Sequence, residues 1–250
     1  MNVLGKTILI TGAGGGLGSA MARKLSQNGA SVFILDLNDE AGGAVALELQ
    51  SVGTRAWFRK MDVTIEKDWA DAVTDALDKT GRLDVLVNNA GINIRKPVEE
   101  MNIDEWCEMM RVNTGSAFLG CKYAIPAMRE RGGGVIINIS SVCGLIGHKY
   151  TTEAYTASKG ALTTFTKAIA ARYAKDGIRC NSIHPSTVET PLVQALLSDP
   201  VRRSERVGEV PLGRLATVDD VANAVLFLAS DEASFINGAA LPVDGGVTCY

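Results

Sequence analysis

The chain has 250 residues, of which 46% are hydrophobic and 21% are charged, and its formal net charge is −3 at pH 7. This composition excludes a largely disordered protein, and a small negative charge without a basic block disfavours nucleic acid and membrane surfaces as partners. No apolar run approaches the roughly 18 residues that span a bilayer, and no secretory leader is evident. The five cysteines are scattered and lack a C-x-x-C pair. We therefore expect a soluble protein of the reducing cytoplasm, without disulfides or a bound metal.

Short β-branched runs alternate with longer helical patterns along almost the whole chain. The predicted strands cover 7–10, 31–35, 56–61, 85–87, 135–139, 178–183 and 240–243, and the predicted helices lie near 17–28, 40–51, 66–79, 103–130, 155–175 and 218–229. Several strands are apolar on both faces, as in a sheet buried between helix layers. The alternation predicts an α/β protein of the Rossmann type, with a doubly wound, seven-stranded parallel sheet covered by helices on both faces.

Neither an internal repeat nor a linker divides the chain, so we expect one domain over residues 1–250. The least regular stretch is 186–216, which contains Pro191, Pro200 and Pro211. In an α/β enzyme such a segment often covers the substrate, so we expect a lid here. A surface excursion without function is the alternative.

A glycine-rich turn follows the first predicted strand and opens the first predicted helix: Thr11-Gly12-Ala13-Gly14-Gly15-Gly16-Leu17-Gly18. Glycines let the backbone approach a pyrophosphate, and the helix N-terminus offers N–H donors to it. Asp36 ends the second strand, 18 residues beyond Gly18. A carboxylate there accepts hydrogen bonds from both ribose hydroxyls of NAD and repels the 2′-phosphate of NADP. This pattern predicts a dinucleotide site with NAD as the cofactor, unless Asp36 serves only the turn that follows it.

Tyr155 and Lys159 lie four residues apart, on one face of a predicted helix. Oxidation of an alcohol requires a group that removes the hydroxyl proton near neutral pH. Tyrosine titrates near pH 10, and a neighbouring ammonium favours its phenolate. On its own, such a pair is more often an ordinary helix surface pair, so the interpretation depends on the other motifs.

The spacing T-G-x-x-x-G-x-G resembles the short-chain dehydrogenase/reductase family, and the resemblance extends along nearly the whole chain. The further matching motifs are Asp62-Val63, Asn88-Asn89-Ala90-Gly91, Asn113, Ser140-Ser141, Tyr155-x-x-x-Lys159, Asn181-x-x-x-Pro185 and Val243-Asp244-Gly245-Gly246. One departure is Ser186, where the family usually has glycine after the proline. A conformation reserved for glycine is harder for serine to adopt, so the loop at this point is expected to differ in shape.

The resemblance implies a catalytic set of Asn113, Ser141, Tyr155 and Lys159. In this set Ser141 holds the substrate oxygen, with Ser140 as the adjacent alternative, and Asn113 holds a water that links Lys159 to solvent. A satisfied polar residue inside its helix is the alternative for Asn113. The implied cofactor-binding residues are Gly12, Gly14, Gly15, Gly16, Leu17, Gly18, Asp36, Leu37, Asp62, Val63, Asn89, Ala90, Gly91, Tyr155, Lys159, Pro185, Val188 and Thr190.

The loop before Tyr155 borders the substrate in this family, which implies that Val142, Cys143, His148 and Tyr150 form the pocket wall. His148 as a second base and Cys143 as a nucleophile are disfavoured, because Tyr155 already fills the first role and no motif places a base beside the thiol.

The resulting prediction is an NAD-dependent oxidoreductase that interconverts a secondary alcohol and a ketone. The chain looks most similar to dehydrogenases of small cyclic alcohols, aryl alcohols and hydroxysteroids. A 3-oxoacyl carrier-protein reductase is the alternative within the family, disfavoured because that group generally uses NADPH. A non-catalytic nucleotide-sensing or scaffold protein is the alternative from another class. The resemblance also implies a homotetramer, with the helices at 103–130 and 155–175 in its interfaces.

Overall fold

A computed structural model describes the backbone of residues 1–250 and every side chain except those of Leu192 and Leu196. The strands are β1 (Thr7–Thr11), β2 (Ser31–Asp36), β3 (Ala56–Lys60), β4 (Val85–Asn88), β5 (Gly134–Ile139), β6 (Ile178–Pro185) and β7 (Ala240–Val243). The α-helices are α1 (Gly16–Gln27), α2 (Asp39–Ser51), α3 (Glu66–Thr80), α4 (Ile103–Met110), α5 (Ser116–Glu130), α6 (Glu153–Tyr173), α7 (Pro191–Leu196), α8 (Pro200–Gly208) and α9 (Val218–Ala229). None of the described helices is both long and apolar enough to cross a membrane.

The seven strands form one parallel sheet in the order β3-β2-β1-β4-β5-β6-β7. In the centre, Ile8 of β1 pairs with Val32 of β2 on one side and with Val85 of β4 on the other. The strand order reverses at this point, because β2 and β3 extend one way from β1 and β4 to β7 extend the other way. A crevice opens at such a switch point, at the carboxyl ends of the strands. The predicted doubly wound fold is confirmed.

The core consists of two apolar layers, one on each face of the sheet. Ile8 and Ile10 of β1 pack with helices α1, α2 and α9, whereas Leu9 between them packs with α3, α5 and α6. Successive side chains of a strand point to opposite faces, so a strand buried on both faces must be apolar throughout. This requirement explains why β1 is a continuous buried run.

The predicted helix at 103–130 is interrupted in the structure. Helix α4 ends at Met110, and a π-helical turn over Arg111–Gly115 precedes α5. A π turn contains one residue more than an α turn and frequently occurs at functional sites. The prediction of one continuous helix is wrong here, and the interruption contains Asn113.

The segment 186–216 was expected to be irregular, and this expectation is wrong. It contains α7 and α8, which begin with Pro191 and Pro200 and are capped by the side chains of Thr190 and Asp199. A bridge between Val188 and Ala216 joins the two ends of the segment. The predicted lid includes Leu192 and Leu196, whose side chains lie outside the described residues.

Candidate active site

The glycine-rich turn leaves open space in front of the N-terminus of α1. Gly12 and Gly16 have φ of +63° and +51°, a left-handed conformation that other residues rarely adopt. A Cβ on Gly18 would lie 2.1 Å from the carbonyl oxygen of Gly12, so only glycine lets α1 pack this closely against the turn after β1. Gly15 provides no side-chain cap, and a Cβ there would meet nothing within 4 Å. The turn therefore combines exposed backbone with free helix N–H groups, as a pyrophosphate requires.

Asp36 lies directly against this turn. Its Oδ2 accepts a hydrogen bond from the backbone N–H of Gly14 at 2.7 Å, and its Oδ1 accepts one from Asn38 at 2.9 Å. The first cation after the turn, Arg23, is held by Glu48 through Nε–Oε1 and Nη2–Oε2 contacts of 2.6 and 2.7 Å. Asp36 is thus placed beside the turn, with the charge of Arg23 already paired.

The loop after β4 is hydrogen-bonded to the end of β1. Asn89 Nδ2 donates to the carbonyl oxygens of Thr11 and Gly12 at 2.9 and 3.1 Å. The Thr11 hydroxyl accepts from the backbone N–H groups of Asn89 and Ala90 at 3.0 and 3.1 Å. These bonds hold the two central strand ends at a fixed separation, where the crevice begins.

Of the other predicted contacts, the Asp62 side chain and the Val63 carbonyl have partners within the protein. Asp62 Oδ1 accepts from the backbone N–H and the hydroxyl of Thr64 at 2.8 and 2.7 Å. The carbonyl of Val63 accepts from the indole of Trp69 at 2.9 Å, and Leu37 is exposed. The adenine-binding role of Asp62 and Val63 stays a prediction.

Lys159 is buried beneath Tyr155. Its Nζ donates to the carbonyl of Ile139 at 2.8 Å and lies 5.7 Å from the centroid of the Tyr155 ring. Burial lowers the pKa of Lys159 to about 8. Burial also raises the pKa of Tyr155, while the Ser141 hydroxyl and the Arg95 charge lower it. The chain therefore brings a phenol, an ammonium and a hydroxyl to one point.

The two serines after β5 differ in their partners. Ser140 Oγ donates to the carbonyl of Lys159 at 3.0 Å and lies 3.2 Å from the hydroxyl of Thr163, so it is committed to α6. The backbone of Ser141 is extended. Among the described residues, its Oγ accepts one hydrogen bond, from the Cys143 N–H at 3.2 Å. This difference favours Ser141 as the residue that contacts a substrate.

A buried histidine without a predicted role holds the main chain of Ser141. His184 Nδ1 lies 2.8 Å from the Ser141 carbonyl, and its Nε2 lies 2.8 Å from the hydroxyl of Ser182. A carbonyl only accepts, so Nδ1 carries the proton. Burial lowers the pKa of His184, which favours the neutral ring. The signal in the sequence was a histidine at the carboxyl end of a buried strand.

Asn113 connects the π turn to the loop after β4. Its Oδ1 accepts from the Ile92 N–H at 2.8 Å, and its Nδ2 donates to the Ile92 carbonyl and to Ser158 Oγ, both at 2.9 Å. A Cβ on Gly91 would lie 3.1 Å from Asn113 Oδ1 and 3.5 Å from Lys159 Nζ. Asn113 therefore lies near Lys159, and its predicted water stays a prediction.

A cleft of about 550 Å³ runs from the glycine-rich turn to the loop before Tyr155. The predicted residues that line it are Leu17, Asn89, Gly91, Ser141, Val142, Cys143, His148, Tyr150, Tyr155, Lys159, Pro185, Val188 and Thr190. The others lie outside the lining: Gly12, Gly14, Gly15, Gly16, Gly18, Asp36, Leu37, Asp62, Val63, Ala90 and Asn113. Such a volume accommodates a small molecule, and the open turn and Asp36 fit a dinucleotide at its rim.

The loop before Tyr155 and α8 are joined at the end of the cleft. The Arg206 guanidinium lies 4.0 Å from the Tyr150 ring centroid and donates to the Tyr150 carbonyl at 3.0 Å. His148 Nε2 lies 3.5 Å from Glu209 Oε2, and burial lowers the pKa of His148. His148 and Tyr150 thus form a wall with the predicted lid.

Ser186 lies in this cleft without backbone strain, since no described residue other than glycine has a positive φ. Its N–H donates to the Val243 carbonyl at 3.3 Å, and its hydroxyl is buried without a partner among the described residues. The loop therefore does not need the glycine that the family usually has here.

Known proteins match almost the entire chain. Residues 12–248 match the family model described as enoyl-(acyl carrier protein) reductase. The cyclopentanol dehydrogenase of Comamonas sp. (strain NCIMB 9872) is 43% identical over 243 residues, which cover 97% of each chain. The trans-4-hydroxycyclohexanecarboxylate dehydrogenase of Sinomonas cyclohexanicum is 42% identical, over 97% of this chain and 93% of its own. The crystal structure of a gluconate 5-dehydrogenase from Burkholderia cenocepacia J2315 in complex with NADP and tartrate has a TM-score of 0.94 and 36% identity, covering 100% of this chain and 97% of that one.

With the glycine-rich turn, the Tyr155/Lys159 pair and these matches, the chain belongs to the short-chain dehydrogenase/reductase family. It is an oxidoreductase that acts on CH–OH groups, interconverting a secondary alcohol and a ketone with a nicotinamide cofactor. The resemblance inferred from the motifs is confirmed, and the non-catalytic alternative is wrong.

Proposed function

We propose that this protein is an NAD-dependent dehydrogenase of alicyclic secondary alcohols, in which Tyr155 is the acid–base residue. The observation that carries the proposal is the placement of Tyr155, Lys159 and Ser141 in one cleft that continues to the glycine-rich turn beside Asp36. The names of the two curated relatives indicate substrates with a hydroxyl on a saturated ring.

In this mechanism the substrate hydroxyl lies between Ser141 and Tyr155. The Ser141 hydroxyl donates to the substrate oxygen and stabilises its charge, while the Tyr155 phenolate takes the proton. The Lys159 ammonium, held by the Ile139 carbonyl, stabilises that phenolate. When bound, a nicotinamide cofactor supplies the acceptor for the hydride that leaves the carbinol carbon. The alcohol thereby loses two electrons and two protons and becomes a ketone.

Asp36 supports NAD over NADP in this proposal. Each of its carboxylate oxygens uses one hydrogen bond within the protein and keeps capacity for a ribose hydroxyl. The NADP in the Burkholderia cenocepacia structure belongs to that protein, so the preference of this chain is decided by its own carboxylate.

The proposal includes a homotetramer in the cytoplasm, assembled through the faces of α4, α5 and α6. Phe118 of α5 is 54% exposed, and α6 exposes the small residues Ala168 and Ala171. Small and aromatic residues on neighbouring exposed helix faces favour close packing between identical subunits.

The test is oxidation of cyclopentanol, cyclohexanol and a hydroxycyclohexanecarboxylate with NAD, measured by the absorbance of the reduced cofactor. Tyr155→Phe should lower kcat/KM at least about a hundredfold, since it removes only the group that carries the proton. Tyr173→Phe, which removes a hydroxyl from the far end of the same helix, is the matched control. If Tyr155→Phe retains activity within tenfold of the parent while NAD binds equally, the acid–base assignment is wrong.

A further inference from the structure

The charge on the wall of the cleft is opposite to the charge of the whole protein. The chain carries a net charge of −3, yet the cleft is lined by the cations Arg95, Lys159, Arg202 and Arg206. Against them stands one carboxylate among the described lining residues, that of Glu205. A cleft lined by one sign of charge raises the local concentration of the opposite sign. A neutral alcohol does not need this excess.

The cationic wall lies at the reacting end of the cleft. Arg95 lines the cleft together with Tyr155, whose pKa its charge lowers, and Arg206 packs on the ring of Tyr150 in the loop before Tyr155. Arg95 follows the Asn89–Gly91 loop in the chain, and Arg206 lies on α8. The glycine-rich turn, where a pyrophosphate fits, is formed by other residues. The positive charge of the cleft therefore lies where a substrate would bind and not where the pyrophosphate fits.

The cations differ in whether the protein neutralises them. Lys159 is committed to the Ile139 carbonyl and to Tyr155, and Arg202 lies 3.7 Å from Asp199. Arg206 lies 3.5 Å from Glu209. Arg95 is exposed and takes part in no ion pair among the described residues, although the adjacent Lys96 is paired with Glu105. Arg95 is thus the cation with an unused charge.

We propose that this cleft selects alicyclic secondary alcohols that carry a carboxylate, with Arg95 as the residue that binds it. A guanidinium matches a carboxylate with two parallel hydrogen bonds, which adds geometric selection to charge. The ketone product keeps the carboxylate, so the same contact serves reduction. This inference rests on the proposed function, because it names the substrate class of the same site.

The experiment compares a hydroxycyclohexanecarboxylate with its carboxamide, which has nearly the same shape without the charge. We expect the wild-type protein to prefer the carboxylate at least about tenfold in kcat/KM, and Arg95→Gln to reduce the preference to about twofold or less. The ratio of the two substrates corrects for any effect of Arg95 on Tyr155, which acts on both. Arg131→Gln, an exposed arginine outside the cleft, should keep the wild-type preference, and NAD should bind Arg95→Gln with unchanged Kd by titration calorimetry.

Equal kcat/KM for carboxylate and carboxamide in the wild type, with cyclohexanol oxidised, overturns this inference and leaves the proposed function intact. A preference that survives in Arg95→Gln also overturns the assignment of Arg95. If cyclopentanol, cyclohexanol and the hydroxycyclohexanecarboxylate are all left unoxidised although NAD binds, the proposed function is wrong, and this inference is wrong with it. A preference that weakens as ionic strength rises supports the inference, because exposed charges are screened by salt.

Discussion

Replacement of Asp36 is the sharpest test of how this chain selects its cofactor. The Asp36 carboxylate is fixed by Gly14 and Asn38 at 2.7 and 2.9 Å, so we expect it to meet a bound ribose without moving. A hydrogen bond to a charged group contributes about 1.5–3 kcal/mol, and a phosphate placed at the same point would add repulsion to the lost bonds. The combined difference of about 3 kcal/mol corresponds to a preference for NAD of roughly a hundredfold.

Asp36→Asn keeps the size of the side chain and removes its charge. We expect the ratio of the Kd values of NADP and NAD, measured by titration calorimetry on the protein without substrate, to fall from roughly a hundredfold to below about tenfold. Most of the change should come from weaker NAD binding, because Arg23 is paired with Glu48 and does not replace the lost charge. Asp39→Asn, which changes an exposed carboxylate at the start of α2, controls for net charge. Equal Kd values for the two cofactors in the wild-type protein would refute this reasoning.

Three further predictions concern the buried lysine, the buried histidine and the exposed face of α5. Burial lowers the pKa of Lys159 to about 8, so the unfolded chain binds one proton more than the folded protein between about pH 8 and pH 10. The free energy of unfolding should therefore rise over this range. In urea titrations, Lys159→Met should remove about 2–3 kcal/mol of this rise. His184→Asn keeps a donor at the position of Nδ1 for the Ser141 carbonyl, whereas His184→Gln does not; kcat should fall about tenfold more in the glutamine variant with NAD affinity unchanged, and equal kcat values would argue against this positioning role. Phe118→Glu should reduce the mass measured by light scattering below that of a tetramer, and a monomeric parent protein would contradict the proposed assembly.

The parts of the fold that depend on local pattern were predictable from the sequence. The β-branched runs predicted all seven strands to within one or two residues at each end, since strands buried on both faces must be apolar. The two short helices α7 and α8 were missed, although Thr190-Pro191 and Asp199-Pro200 have the cap and first-turn residues that start a helix. The prolines were interpreted as a sign of irregular structure, whereas Pro191 and Pro200 are the first residues of α7 and α8.

Within the site, motifs predicted that Ser141, Tyr155 and Lys159 share one cleft, but they did not predict how these residues are held. The π turn was not predicted, and it contains Asn113, which is bonded to Ile92 and Ser158, two residues distant in sequence. The contact of His184 with the Ser141 carbonyl likewise depends on the register of β5 and β6. The spacing of motifs along one sequence does not indicate tertiary hydrogen bonds of this kind.

The π turn also determines which changes in chain length this region tolerates. An α-helix rotates by about 100° per residue, so deleting one residue within 111–115 to restore a continuous helix would turn α5 by that angle relative to α4. The buried stripe of α5, which includes Ala117, Cys121 and Ala124, would then leave the sheet. The extra residue of the π turn thus lets the buried faces of α4 and α5 point in different directions. A substitution keeps this relation between the two helices, whereas a deletion removes it.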